Sequence, residues 1–379
     1  KGGNIKSKLE FFFLTQDIKT TNPVSVLRTN SKQQLALVFL TFVCISFRVF
    51  ASNMDCPQAL NLTATFEPKT LVSLYVEGSL GMQQKSSKKF VAPEAELINS
   101  CSKRLAAKTF TGPLPERLNI FAYQSREQRN GAFINVSSVD QKMAMEKKGP
   151  FWHAYVTDFP DLRFVGATVR VAQGLVTLNK HIKTAKDLVG KRIGLVMRPS
   201  SLRVLQEAVL INSWGVYDQI TVKEYPPSNM SAALDRGEVD VIFMPVIRED
   251  KGNLLSINLD INRTDIHWIS ISSKDVASAT ESTSILAEQL ILPRSAATVT
   301  GEGDVGLITF DVAWFTFAST PDDVVYDFLQ TVRHFCSPNG RECSVIPADR
   351  LLRWPQLETG LIHPGAQKFY KEMEASFYP

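Results

Sequence analysis

The residues best placed for chemistry are Arg198, Ser200 and Ser201, in the turn RPSS. Directly after them Leu202, Leu205, Ala208 and Val209 recur at helical spacing, until Gly215 stops the pattern. A helix start offers unpaired N–H groups and a partial positive charge, so it suits an anion. The serines can cap the helix and donate hydroxyls, while Arg198 can add a bidentate, charge-assisted pair to a carboxylate. An arginine beside the positive end of a helix otherwise meets an unfavourable dipole worth up to ~1 kcal/mol. The plainer reading makes one serine a cap and turns Arg198 to solvent. Signatures of enzyme chemistry are missing. The five histidines are scattered, and there is no H-E-x-x-H, G-x-S-x-G, P-loop or C-x-x-C. Gly301 to Gly306 spell G-x-G-x-x-G, but the LITFDVAWFTFA that follows alternates as a strand, and a dinucleotide loop must open a helix. No enzyme activity, metal site or cofactor site is expected from these motifs, although catalytic groups can also assemble from distant residues.

The elements that must position this turn form a βαβ unit from Lys186 to Met244. Ile193 to Val196 and Val239 to Met244 are short apolar runs of buried-strand type, and Thr221 to Tyr225 reads as a strand between them. Ser228 to Arg236 reads as a short helix ended by Gly237. Such alternation implies a parallel sheet with right-handed crossovers. Upstream, LVSLYV from Leu71 reads as a strand, 93–107 as a helix, Leu118 to Tyr123 as a strand, and Leu162 to Thr177 as further strands. Downstream, Ile266 to Ile271 is a strand, and 272–284, rich in Ser, Thr and Ala, has the composition of a linker. Pro321 to His334 is an amphipathic helix with Asp322 and Asp323 in its first turn, as the helix dipole favours.

The stretch DLVGKRIGL, a turn, a helix, WGV and ALDRGEVDVIFM resembles the second lobe of periplasmic solute-binding proteins. It is most similar to the TAXI-type receptors of TRAP transporters. TGLIHPGAQKFYKEM, Thr359 to Met373, is similar to the HPGA-x-x-Y-Y-x-E ending of that family. The resemblance implies an α/β, two-lobed type II periplasmic-binding-protein fold with a hinge of two crossover segments. Lobe one is expected at 55–178 and 290–379, and lobe two at 179–289. It also implies a small organic acid or amino-acid-like solute, bound between closing lobes and passed to TRAP-type membrane permease subunits. Gly78, Ser79 and Gly81 stand where members of the family lay ligand against a glycine-rich turn, although Met82, Gln83 and Gln84 replace the usual aromatics. That turn is either an anion site of backbone N–H groups or an ordinary strand-to-helix connection. Ser137 and Ser138 fall at the polar turn of AFINVSSVD, where they donate to a ligand or simply cap the next helix. Alternatives on the same fold are a receptor of an ABC-type transporter, of the thiamine-precursor or sulfonate class, and a sensor or enzyme.

Length and charge agree with a two-lobed receptor. At 379 residues the chain exceeds one ordinary domain of ~100–200 residues. A net charge of +4, with no basic run interleaved with aromatics, argues against nucleic acid as a partner. Residues 1–51 read as a polar extension and a secretory signal, with Lys32 before the apolar run Leu35 to Phe47 and a cleavage site near Ala51; an uncleaved anchor or a buried helix, which Arg48 would suit, is the alternative. The expected location is the periplasm. Export would leave Cys56, Cys101, Cys336 and Cys343, an even count suited to an oxidising compartment. Cys336 and Cys343 bracket SPNGRE, a turn that can bring them to bridging distance, and Cys56 with Cys101 would tie down the mature N-terminus. Free thiols are the alternative.

Overall fold

The computed structural model describes residues 69–77, 94–95, 98–99, 102–248, 254–256, 265–281, 283–292, 304–333 and 359–377. The chain enters the sheet at β1, Thr70–Glu77, and returns to it at β2, Leu105–Gly112, parallel to β1 over its whole length. Helix α1, Leu114–Asn119, leads to β3, Ala132–Ser137, and α2, Gln141–Glu146, follows. A long strand, β4, runs from Leu162 to Thr177. The next unit is β5, Arg192–Val196, then α3, Ser201–Ala208, which continues as a π-helical turn over Val209–Ser213. Strand β6, Thr221–Tyr225, helix α4, Pro227–Asp235, and β7, Val241–Arg248, complete it. Beyond lie β8, Leu254–Ser256; β9, His267–Ile269; α5, Ser273–Glu281; and β10, Glu288–Leu292. A second long strand, β11, spans Val305–Phe317, and helices α6, Asp322–Arg333, and α7, Pro364–Phe377, close the described chain.

The strand order β2-β1-β3-β11-β4-β7-β5-β6 is symmetric about its middle. On one side β1 is parallel to both β2 and β3; on the other β5 is parallel to both β6 and β7. Each half is therefore a three-stranded parallel unit with its first strand in the centre. The antiparallel strands β11 and β4 join the halves, β11 against β3 and β4 against β7, and pair with each other from Leu162 to Gln173. Two such units linked by two crossing strands in one sheet make an α/β fold of the periplasmic-binding-protein type. At the crossing, Arg170 on β4 donates from Nε and Nη2 to the two carboxylate oxygens of the buried Asp311 on β11, at 2.7 and 2.6 Å.

Burial explains these strands. All thirteen residues of β11 are buried, as expected of a strand paired on both edges and covered on both faces. Helices α6 and α7 cover the first half, where Phe328 stacks on Phe133 at 4.1 Å between ring centroids. Gly365, in the HPGA sequence, lets α7 approach α6: a Cβ there would lie 2.2 Å from the carbonyl oxygen of Asp322. The buried His363 accepts the Gly365 N–H at Nδ1, 3.2 Å away, so the histidine of this motif pins the start of α7.

Three sequence expectations are corrected. Residues 105–107 belong to β2 and not to a helix: the pairing with β1 overrides the helical propensity of their alanines. Leu118 and Asn119 end α1 and do not begin a strand; Pro115 pre-sets the first turn, and Leu114 and Leu118 are buried at helical spacing. The stretch 272–284 contains α5 instead of a linker. Its signal is a capping box in which Ser272 N–H donates to Asp275 Oδ2 at 2.8 Å and Asp275 N–H donates to Ser272 Oγ at 3.2 Å.

Candidate functional site

In open α/β sheets, ligands bind beyond the carboxyl ends of the strands. Strand β3 ends at Ser137 and β5 at Val196, and the residues just after both line one cleft of about 670 Å³, its open mouth included. From the first half come Leu114, Asp140, Met143 and Phe151; from the second come Arg198 and Ser201. The walls are largely apolar, so the few polar groups fix what the cleft can hold.

Asp140 is the polar centre of the first wall and is 7% exposed. Ser137 Oγ donates to its Oδ2 at 2.6 Å, and the Asp140 N–H donates back to Ser137 Oγ at 3.2 Å. Ser201 Oγ, from the opposite wall, donates to the same Oδ2. Burial pushes the Asp140 carboxyl above the usual range, against the two hydroxyls and the field of Arg117. Arg117 is itself buried in α1 and donates from Nη1 to the carbonyls of Tyr75 and Asn135, both at 2.8 Å. It acts on Asp140 through space.

The second wall is built by α3. Ser200 caps it, accepting the Leu202 N–H at 3.3 Å. Arg198 donates from Nη2 to Glu207, and its guanidinium lies 5.2 Å from the ring centroid of Phe151, a cation–π contact that crosses the cleft. Glu207 also accepts from Arg203 Nε and from the Tyr217 hydroxyl, both at 2.9 Å. Burial would raise the Glu207 carboxyl, but Arg198, Arg203 and Tyr217 together hold it below its ordinary value. Behind this wall a buried amide pair ties α3 to the crossing strand. Gln206 Nε2 donates to Gln173 Oε1 at 3.0 Å, and Gln173 Nε2 donates to the Leu202 carbonyl at 3.0 Å.

The structure thus places Arg198, Ser200 and Ser201 on the cleft, with Ser137 behind Asp140. Ser138 faces elsewhere, donating to the Leu286 carbonyl at 2.6 Å and accepting the Asp311 N–H at 3.3 Å. Gly78, Ser79 and Gly81 lie outside the described residues, as do Cys56, Cys101, Cys336 and Cys343. Sequence reasoning passed over Asp140. Its signal is the Ser-x-x-Asp spacing of Ser137 and Asp140 just before a helix. Phe151 and Leu114 carry no local signal, since the fold brings them from distant segments. Among the described residues, no group of His, Cys, Asp and Glu is arranged to hold a metal. No helix among them is long and apolar enough to cross a membrane.

A family match covers most of the same segments. The NMT1-like family matches residues 119–373, well over half of the chain. The chain belongs to the NMT1-like family. Three solved structures are similar to this member of it. R. palustris Rpa4515 with adipate shares 15% identity over 82% of this chain and 97% of its own, at a TM-score of 0.43. MatC (Rpa3494) from Rhodopseudomonas palustris with bound malate shares 12% over 82% and 99%, at 0.44. The alkanesulfonate-binding protein SsuA from Xanthomonas axonopodis pv. citri, bound to MOPS, shares 19% over 46% and 55%, at 0.28.

Proposed function

We propose that this protein is an extracytoplasmic solute receptor that holds a small carboxylate-bearing solute between two closing lobes and passes it to a TRAP-type membrane permease. In this reading the lobes are 55–178 with 290–379, and 179–289, and the leader before Ala51 directs export. The observation that carries it is the position of Arg198: a half-exposed cation on a largely apolar cleft, supplied by one half of the sheet and stacked on an aromatic of the other. Only one guanidinium nitrogen is committed to Glu207. Nε and Nη1 remain for a carboxylate, beside the capped start of α3. A solute that touches both walls stabilises the closed form, because only that form contacts it from two sides. The TRAP-type partner is supported by the resemblance of 186–244 and 359–373 to TAXI-type receptors.

Calorimetric titration with a panel of mono- and dicarboxylates tests the reading. Arg198→Met is expected to weaken binding about tenfold or more, equivalent to roughly 1.5–3 kcal/mol. The melting temperature of the ligand-free variant should change little, because Glu207 keeps Arg203 and Tyr217. Unchanged affinity in that variant would sink the role given to Arg198.

A further inference from the structure

We infer that the solute is an amino-carboxylate with an apolar body, its ammonium group on Asp140 and its carboxylate on Arg198. This rests on the receptor reading above and names the ligand that the cleft selects. The two walls present opposite charges. Asp140 comes from the first half, Arg198 from the second, and both line the same cleft. Around them the lining is apolar, including Leu114, Met143, Phe151 and Val204. Two centres of opposite sign on an apolar cavity match a molecule with a charge of each sign on an apolar frame.

The hydrogen bonds around Asp140 leave room for that molecule. Both serine hydroxyls go to Oδ2. Oδ1 has no protein partner among the described residues, and the residue keeps its small exposure on the cleft it lines. A carboxylate set among apolar walls is costly unless a donor or a cation satisfies it. Arg117, whose Nη1 donates to two backbone carbonyls, acts on Asp140 through its field and not through a hydrogen bond. The net effect of burial on Asp140 is upward despite Arg117, which marks the carboxyl as short of positive charge. A ligand ammonium at Oδ1 would supply it. A plain carboxylic acid would not, and would set its own apolar methylenes against the acid.

The test compares pairs of compounds that differ only in the amine. L-phenylalanine is titrated against 3-phenylpropanoate, L-leucine against 4-methylpentanoate, and 6-aminohexanoate against hexanoate, all on the full chain. At least one amino compound should bind about tenfold or more tighter than its partner. Asp140→Asn should bring the two members of that pair to equal affinity. The wild-type comparison stands without the variant, should the variant fail to fold. Equal or tighter binding of the acids lacking the amine would overturn the inference and leave the receptor reading in place. If neither member of any pair binds, nor any acid in the carboxylate panel, both fall together.

Discussion

The two halves of the sheet share a strand order and place opposite chemistry at equivalent ends. Each puts its first strand between its second and third, and each sends the residues after a strand's carboxyl end to the cleft. In the first half that group is an acid, buried and fixed by two serine hydroxyls. In the second half it is an arginine, half-exposed and leaning on the other wall. Topology decides where a side chain arrives, and the turn sequence decides what arrives.

Breaking the joint between the halves should have the largest effect. Arg170→Leu would leave Asp311, 2% exposed, as a buried carboxylate without its bidentate partner. A loss of about 3–5 kcal/mol is expected in urea denaturation. A loss below ~1 kcal/mol would mean that the backbone ladder alone joins the halves.

The first half should carry a pH dependence above the ordinary carboxyl range. Glu94 is fully buried against Trp314 Nε1, 3.2 Å away, and burial pushes its carboxyl up to about 8. The folded chain therefore keeps this proton while the unfolded chain releases it, so stability falls as pH rises from the ordinary carboxyl range toward 8. Glu94→Gln removes that penalty. Thermal melts should show the variant gaining roughly 4 kcal/mol over the parent at pH 8 and almost nothing at pH 4.5. Equal gains at both values would rule out a buried, protonated carboxyl.

The smallest effect separates two neighbouring serines of the second half. Ser200→Ala removes a cap and should cost about 1 kcal/mol through α3 alone. Ser201→Ala should cost a similar amount. It also removes a hydroxyl that crosses to Asp140, so it alone should alter ligand affinity. If both variants bind solute as the parent does, the contact between the walls has no part in recognition.

Much of the second half was legible in the sequence. Its strands β5 and β7 are short apolar runs, and its helices are punctuated by Gly215 and Gly237, both at positive φ, so periodicity and stop signals agree. The first half was less so. Its β2 carries helix-forming alanines that become a strand only when β1 lies alongside, a non-local cause. Arg198 could be singled out because it precedes a helix start. Asp140 offered only its spacing from Ser137, because its place on the cleft depends on Ser201, sixty-one residues away in the chain. Nothing local to Phe151 or Leu114 announces the cleft either.

The pairing of β11 with β4 also sets an order of assembly. Strands β4, β5, β6 and β7 all lie within residues 162–248, so the second unit can form as soon as that segment exists. The strands of the first unit are also present by then, but its outer edge stays open. β3 ends at Ser137, and the strand that flanks it begins only at Val305. Until the chain is nearly finished, one edge of β3 and one edge of β4 have no neighbour. Open edges of this kind slow folding and invite pairing with other chains. A newly made molecule is therefore most exposed to aggregation in the interval before β11 arrives, and a holding chaperone would find its substrate at those two edges.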